Sequence, residues 1–551
     1  MRAKNTQSLL GQALFGATFA LGSMLALSAH AAAPGITGPT FNLNAAAMRV
    51  NQPNGKSLYS WGYGCTVAPS GFAPAAVRGA KCPLAQLPGP TLIVTEGQTV
   101  TVNLTNTLPA AAGSTSILFP GFQVGTSGGT TGLLTQEAPS LAWCKTTGCN
   151  KVTYTFTALT PGTHSYYSGT QGDLQVEMGM YGALIVLPKT VPANCTSGLA
   201  ASNLIAEGTS GETDFRLAAS AYDHPSTCYD REYLFQFSEM DDNIHSQAEA
   251  QVLADLAKPV GLQCKVPTGC LEIATEPYLP DYYMVNGRSM PDDMDPNYVS
   301  MYPNQPYNGN PHMHPGELTL VRIIGQGRWQ HPFHEHANHV RVLARDGNLL
   351  LSSPDVNGTT LPAGPLMFTT TTTPGMTMDG IFYWTGRGLN WDVFGHYPDL
   401  TYTTPNPTAG QPPISHTFVC VPDANGYYTS DPTAPNYYEW CGDHNKALEK
   451  HPTGQVAAGG PVTLPDPNIV LQGTWYGGSP YLGGEATTRA VGGTPISPAG
   501  TVANSPNGEA GFAYMWHSHN EREITTSNVF PGGMMMMMLV DPRSFAIDET
   551  N

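Results

Sequence analysis

The chain has 551 residues, of which 12% are charged, and its 24 basic and 41 acidic side chains give a formal net charge of −17. This length suits two to four domains, and the 60 glycines and 48 prolines favour strands and structured loops over helix bundles. Because binding to the phosphates of DNA or RNA needs a basic patch, the acidic balance argues against nucleic acid as a partner.

The N-terminus has the pattern of an export signal. Arg2 and Lys4 precede an apolar stretch over residues 14–27, and small residues follow it. This pattern predicts a cleavable signal peptide over residues 1–31. The apolar run is short and interrupted for a membrane span, and no second segment of spanning length follows. We therefore expect an exported protein, periplasmic or extracellular, with no membrane span after cleavage.

The ten cysteines agree with export, since an even number in an exported chain indicates disulfides. Spacing alone proves no pairing, and the absence of a CxxC motif makes a cysteine metal site the weaker interpretation. Pairing of neighbours along the chain would close five short loops, namely Cys65–Cys82, Cys144–Cys149, Cys195–Cys228, Cys264–Cys270 and Cys420–Cys441.

Strand patterns in the first part of the chain predict a sandwich domain over residues 32–190. Pro90–Val94 leads through a Glu-Gly turn into Thr99–Leu104, which alternates apolar and polar residues. Tyr181–Val186 is an apolar run short enough for a buried strand. A connector is expected over residues 191–230.

The same strand plan recurs in residues 231–551 and predicts a second sandwich. Its strands are expected at Arg231–Phe237, Leu318–Ile324, His339–Leu343 and Met534–Val540. Residues from about 396 to 509 are rich in Pro, Gly, Asn and Thr, which indicates a long insertion. The chain is thus predicted to be an all-β protein with two copies of one fold.

Two dense histidine groups are the strongest sign of chemistry. One is His331-Pro332-Phe333-His334-Glu335-His336, and the other is His517-Ser518-His519. Residues two apart on a strand face the same side, so His334 with His336, and His517 with His519, form two imidazole pairs. On adjacent strands the two pairs would offer four nitrogen ligands to one copper or zinc ion.

Other residues are weaker metal candidates. His312 and His314 form a further same-face pair, with a surface loop before a strand as the equal alternative, and His339 and His396 are also available. The methionine run 534–538 offers thioethers for Cu(I), although packing in the core is favoured there.

The order of several motifs resembles that of multicopper oxidases. Pro88–Leu92 and the stretch from Gly162 to Val186 resemble the first cupredoxin domain of that family. The segment beginning at His331 looks like its HPxHxH motif, and Met515–His519 looks like its terminal WHCH motif. The resemblance implies tandem cupredoxin-like Greek-key sandwiches and copper as the cofactor.

The resemblance also shows which copper ligands are missing. The family's HxHG motif falls on Leu118–Gly121 and its HSH motif on Tyr167–Gly169, and neither segment contains a histidine. Ser518 replaces the cysteine of type 1 copper and Glu523 replaces a histidine, so His331 alone remains clearly in place. A serine hydroxyl cannot replace the thiolate of a blue centre, and no type 1 copper is therefore expected.

Glu523 has three interpretations. Beside His331 and Ser518 it would form an oxygen and nitrogen pocket, it would pair with Arg522, or it would hydrogen-bond His331 as a remnant of the lost site. The last interpretation is favoured. His334, His336, His517 and His519 occupy four of the eight imidazole positions of a trinuclear cluster, which is enough for one ion, or for two with a further ligand.

Three functions remain open. The first is an exported copper oxidoreductase that uses oxygen with a small reductant or a metal ion such as Mn(II) or Fe(II). The second is a noncatalytic copper-binding protein, and the third is a cell-surface structural protein. A homo-oligomer is compatible with the resemblance, because two-domain members commonly form trimers, but the first-domain ligands for such an interface are the missing ones.

Overall fold

The structure is a computed structural model. It describes residues 33–75, 77–197, 214–314, 317–355, 360–384, 400–404, 412, 414–418, 455–456, 460–461, 479–480, 512–540 and 547. The predicted signal peptide, the Cys420–Cys441 pairing, His396 and most of the predicted insertion lie outside these residues.

Twelve strands form the first part of the described chain. One sheet has the order β11-β12-β5-β1-β4 and the other has the order β3-β2-β6-β10-β7, while β8 and β9 form a separate hairpin. The strands are β1 Gly35–Thr37, β2 Thr40–Asn51, β3 Ser57–Cys65, β4 Phe72–Ala73, β5 Gly89–Thr95, β6 Thr99–Asn106, β7 Gly125–Gly128, β8 Thr130–Thr131, β9 Gln136–Glu137, β10 Lys151–Thr157, β11 Gly162–Tyr167 and β12 Tyr181–Leu187.

A second pair of sheets follows. One contains β14-β13-β16-β22-β18-β19 with β20 beside β18, and the other contains β15-β29-β28-β17-β21 with β27 beside β28. Strands β23 and β24, and strands β25 and β26, form two separate two-stranded sheets. The strands are β13 Arg231–Met240, β14 Tyr282–Val285, β15 His312–Met313, β16 Leu318–Gly325, β17 His331–Glu335, β18 Val340–Arg345, β19 Asn348–Leu349, β20 Leu366–Met367, β21 Thr369–Thr372, β22 Thr377–Tyr383, β23 Leu400–Thr404, β24 Ile414–Phe418, β25 Gln455–Val456, β26 Gly460–Pro461, β27 Ser479–Pro480, β28 Phe512–Ser518 and β29 Met535–Val540.

These two pairs of sheets confirm the predicted all-β class and the tandem cupredoxin-like sandwiches. Alternation along the strands sends one set of side chains into each core. Trp61, Val102 and Leu184 are buried in the first core, and Phe235 and Trp516 are buried in the second. Methionines 534, 536 and 538 also lie in the second core, so the expected core packing of this run is confirmed for these three residues.

Helices in the described residues are short apart from one that the sequence patterns did not predict. These helices are α1 Gly172–Gln175, α2 Ala193–Ser197 and α3 Asp242–Leu256, with 3-10 turns at Ala110–Ala112, Leu141–Trp143, Val260–Leu262 and Asp292–Met294. The side chain of Asp241 caps α3 by accepting a hydrogen bond from the Asn243 backbone N–H at 2.9 Å. Ile244 and Ala248 of this helix pack on the first core.

A buried polar network joins the two sandwiches. Asp379 on β22 accepts hydrogen bonds from Thr163 Oγ1 on β11 and from Tyr222 Oη, each at 2.6 Å. Arg322 on β16 donates to Thr163 Oγ1 at 3.1 Å and to Glu232 Oε2 at 2.9 Å. Because each carboxylate has a partner, the burial of these charges is compensated, and the network fixes β11 against the second sandwich.

Four of the five predicted disulfides are confirmed, namely Cys65–Cys82, Cys144–Cys149, Cys195–Cys228 and Cys264–Cys270. Each bridge closes a short loop between neighbours in the cysteine order. Within the described part of the chain, no helix has both the length and the apolar character needed to cross a bilayer.

Candidate metal centre

The two histidine groups lie on neighbouring strands of one sheet. Strand β17 pairs antiparallel with β28, and His334 is directly opposite His517. The predicted adjacency of these strands is therefore confirmed. Strand β17 ends at Glu335 and β28 ends at Ser518, so His336 and His519 lie just past the strand ends, contrary to the expectation that both pairs sit wholly on strands. Ala337, with φ of 85°, turns the chain away after His336.

The rings of His334, His336, His517 and His519 form one group, which we call the histidine cluster. One ring nitrogen from each of His334, His336 and His517 lies within 4.8 Å of the other two. His517 Nε2 lies 3.2 Å from His336 Nε2. The His519 ring centroid is 4.7 Å from that of His334, and His519 is exposed, so the cluster opens toward solvent at this ring.

Hydrogen bonds orient the rings of two cluster members. His334 Nδ1 lies 2.7 Å from Thr369 Oγ1 on β21, and His517 Nδ1 donates to the Ser518 carbonyl oxygen at 2.7 Å. Because these contacts occupy the Nδ1 atoms of His334 and His517, the Nε2 atoms of the two rings remain available to bind a metal ion. His334 Nε2 is buried and has no hydrogen-bond partner among the described residues, an arrangement that an imidazole satisfies by binding a metal ion.

The electrostatics of the cluster favour neutral imidazoles. Burial, together with the neighbouring His517 and His519, lowers the pKa of His334 to about 3. Burial, followed by the effect of the other three rings, lowers the pKa of His336 to about 2, and burial also lowers the pKa of His517. Metal ligation requires the neutral ring, so His334, His336 and His517 hold their nitrogens in the form that binds metal at neutral pH.

His331 has a different environment from the histidine cluster. Its Nδ1 lies 2.9 Å from Glu523 Oε2, and its Nε2 lies 2.9 Å from Glu239 Oε2 on β13. Burial opposes the charge on this ring, but the two carboxylates dominate and raise the pKa of His331 to about 9. Both nitrogens are occupied by carboxylates, so His331 has no lone pair directed at a metal ion.

Ser518 and Glu523 complete this second group. The Ser518 hydroxyl donates to Glu523 Oε2, and Asn520 Nδ2 donates to Glu523 Oε1 at 3.0 Å. Glu523 hydrogen-bonds His331, as the third interpretation of this residue predicts, and it also contacts Ser518, as the first interpretation requires. The Ser518 backbone N–H donates to the Met534 carbonyl oxygen at 3.0 Å, so Met534 adjoins the group.

The sequence patterns missed the partners on the other side of His331. Glu239 Oε1 accepts hydrogen bonds from the Arg328 and Trp329 backbone N–H groups at 2.6 and 2.8 Å. Tyr278 Oη lies 3.2 Å from Glu239 Oε1 and 2.5 Å from Glu177 Oε2 of the first sandwich. The carboxyl group of Glu239 near the end of β13 was the available signal, but it does not specify a partner.

The structure does not bring His312 and His314 to the histidine cluster. His312 pairs with Leu539 on β29, and Leu539 pairs with Ala513 on β28, four residues before His517. At a rise of roughly 3.3 Å per residue this offset is about 13 Å along the strand. Both histidines are buried, so the surface-loop interpretation is also wrong. Both histidines therefore lie at the edge of the second sandwich, against its core.

His339 lies close to the histidine cluster, beside Phe368. The Phe368 ring centroid is 4.9 Å from that of His339 and 5.5 Å from that of His334. The aromatic ring therefore contacts both imidazoles. His339 remains a weaker candidate than the four residues of the cluster, whose rings contact one another directly.

Residues 84–191 match the sequence model of a family described as multicopper oxidase. This confirms the resemblance in the segment where both first-domain histidine motifs are absent. A comparison with curated protein sequences finds no match.

Solved structures with a similar fold are distant in sequence. The chain is 14% identical to a multicopper oxidase named mgLAC, covering 93% of this chain and 88% of that one at a TM-score of 0.42. A blue copper oxidase from Nitrosomonas europaea is 14% identical, with 91% and 85% covered and a TM-score of 0.39. A copper nitrite reductase from Nitrosomonas europaea is 18% identical, with 62% and 84% covered and a TM-score of 0.36. At these scores the likenesses carry no argument about activity.

Proposed function

We propose that this protein, whose residues 84–191 match the sequence model of the multicopper oxidase family, is an exported copper-binding protein. The copper ligands in this proposal are His334, His336, His517 and His519. The protein holds no type 1 copper, and it works without the electron route that a blue centre provides.

The convergence of buried, neutral imidazoles is the observation that carries the proposal. His517 Nε2 and His336 Nε2 are 3.2 Å apart, and the buried His334 Nε2 lacks a hydrogen-bond partner among the described residues. In a loaded site with bonds of roughly 2 Å, ligand nitrogens lie about 3 to 4 Å apart. One nitrogen from each of His334, His336 and His517 lies within 4.8 Å of the other two, close to that spacing. His519 is not part of this three-residue group, but its ring centroid is 4.7 Å from that of His334.

Copper fits this donor set better than other divalent ions. Imidazole nitrogens suit both copper and zinc, but Cu(II) binds a given nitrogen site more tightly than Zn(II). Carboxylates are absent from the three-residue group of metal-ligand geometry found in the described chain, which disfavours Mg(II) and Ca(II). Copper, when bound, supplies a redox-active ion held by imidazoles.

The group around His331 favours copper binding without oxidase turnover. A type 1 centre needs a thiolate, whereas Ser518 offers a hydroxyl that donates to Glu523. His331 is held between two carboxylates, both of which favour its protonated form. We therefore place the noncatalytic copper protein ahead of an oxygen-using oxidoreductase. Export is supported by the four disulfides, which persist in oxidising compartments.

The proposed domain boundaries follow the two sandwiches. We propose a signal peptide over residues 1–31, a first domain over 32–190, a connector over 191–230 and a second domain over 231–551. The histidine cluster then lies entirely in the second domain, on β17, β28 and the residues that directly follow them. A single chain can thus supply all four proposed ligands.

Copper titration of the metal-free protein tests this proposal. Stoichiometric binding, with an electron paramagnetic resonance spectrum showing nitrogen ligands and no type 1 signal, is expected. Oxygen uptake with a phenol, Fe(II) and Mn(II) should stay at the level of the metal-free protein. Absence of tight copper binding would overturn the proposal, and oxygen-dependent turnover by the loaded protein would restore the oxidoreductase function.

A further inference from the structure

A cavity of about 980 Å³, lined by no residue of the histidine cluster, lies where the two sandwiches meet. The first sandwich contributes Leu118, Tyr167 and Val176 to its wall, and the second contributes Gln326 and Pro374. Ligand sites in proteins commonly have volumes of about 300 to 1,000 Å³ and combine apolar walls with a few polar groups. The cavity therefore has the size and lining of a small-molecule site.

The charged side chains that line the cavity are all acidic. Glu137 and Asp173 contribute carboxyl groups, and the described lining contains no lysine, arginine, histidine or cysteine. Without imidazole or thiolate the cavity is not a copper site. Without a basic side chain it offers no partner to an anion, whereas the carboxylates would attract a cation.

Glu137 is held in place by its surroundings. Thr170 Oγ1 donates to Glu137 Oε1 at 2.9 Å, and the backbone of Gly132 lies so close that an added Cβ would be 2.4 Å from the carboxyl carbon. Burial raises the pKa of Glu137. A cationic ligand beside this carboxyl would offset the desolvation of its charged form.

The backbone at the cavity is strained at one point. Gln171 has a φ of 44°, in the left-handed region that non-glycine residues rarely adopt. Its Nε2 donates to the Thr268 carbonyl oxygen at 2.8 Å, and both residues line the cavity. Strained positions of this kind tend to occur at ligand sites, where the surroundings hold them in place.

We propose that this cavity binds a small organic cation, with an apolar or aromatic body against Leu118, Tyr167 and Val176 and an ammonium group facing Glu137. Tyr167 also offers a ring face for a cation–π contact. The site is separate from the proposed copper ligands, so it stands whether or not copper binds.

Two small molecules of similar shape and opposite charge test whether the cavity prefers a cation. Phenethylamine is a cation and 3-phenylpropionate is an anion at pH 7.5, and their apolar parts are similar. Isothermal titration of the full chain should show saturable binding of phenethylamine that is at least about fivefold tighter than that of 3-phenylpropionate. Equal or tighter binding of the anion would overturn the proposal, as would the failure of phenethylamine to bind.

Two variants test whether phenethylamine binds in this cavity. Glu137→Gln should weaken phenethylamine binding about fivefold, whereas Glu272→Gln, at an exposed position, should leave it unchanged. Gly172 lines the cavity and has open space around its Cβ position, so Gly172→Trp should fill the cavity and abolish binding.

Gly261→Trp is the control for this bulky substitution, because Gly261 also has open space but does not line the cavity. Unfolding temperatures of all variants confirm that they fold. Wild-type affinity in folded Gly172→Trp would overturn the assignment of the cavity.

Discussion

The Nε2 atom of His331 lies 2.9 Å from the Oε2 atom of Glu239, and both side chains are buried. Glu523 contacts the other ring nitrogen at the same distance. The two carboxylates raise the pKa of His331 to about 9, so this ring is an imidazolium ion at neutral pH. Where the family resemblance places type 1 copper, the chain instead holds one buried positive charge between two negative ones.

Removal of the imidazolium should strongly destabilise the fold. His331→Ala leaves Glu239 and Glu523 buried without their shared cation, and breaking a buried ion pair typically costs about 3 to 5 kcal/mol. Urea unfolding measures the loss. The control is His164→Ala, since His164 is also buried but is hydrogen-bonded to the Thr160 carbonyl oxygen, and it should lose about 1 to 3 kcal/mol. Equal losses in the two variants would contradict the ion-pair assignment.

The same contact predicts how stability depends on pH. The pKa of His331 is about 9 in the folded protein, above its ordinary value of 6.5, so folding favours the protonated ring. Its stabilisation is complete below pH of about 6.5 and is lost as the pH rises through about 9.

Unfolding temperatures of wild type and His331→Ala between pH 6 and 10 measure this effect. Titrations common to the two proteins cancel in the difference. The unfolding temperature of the wild type should exceed that of His331→Ala by less and less as the pH rises. A difference that stays constant or grows over this range would be inconsistent with a charged His331.

The copper-loaded protein should lack the intense visible charge-transfer band of type 1 copper, because Ser518 supplies no thiolate. Ser518→Cys combined with Glu523→His should introduce this band, since Glu523 Oε2 contacts both His331 Nδ1 and the Ser518 hydroxyl, and the Ser518 backbone is hydrogen-bonded to that of Met534. Absorption spectra after copper loading check both statements.

Ser60→Cys is the control for the introduced thiol, because Ser60 is a buried serine that lies 3.2 Å from His245 Nδ1, outside the His331 group. It should give no such band. A band in the wild type, or none in the double variant, would refute the placement of the lost type 1 site.

Short-range sequence patterns predicted individual strands and the disulfides between neighbouring cysteines. Alternation and short apolar runs located strands such as β6 and β12, and neighbour pairing gave the four observed disulfides. The family resemblance, rather than periodicity, indicated that β17 and β28 are neighbours. Their register then follows from the pairing of His334 with His517.

Contacts between distant segments were not predictable in this way. Glu239 precedes His331 by 92 residues, and Glu177 belongs to the other sandwich. No local pattern links such residues, because their proximity depends on the packing of the sandwiches. The cavity beside Glu137 is a further case, since its walls come from both sandwiches.

Copper stoichiometry in two double variants tests the central claim most directly. His517→Ala with His519→Ala removes two proposed ligands, whereas His312→Ala with His314→Ala removes an equally spaced pair that is offset by about 13 Å along the strands. Metal analysis of the dialysed proteins, with circular dichroism to confirm folding, should show loss of tightly bound copper in the first variant and wild-type copper in the second. Wild-type copper in the first variant, or loss only in the second, would contradict the assignment of copper to the histidine cluster.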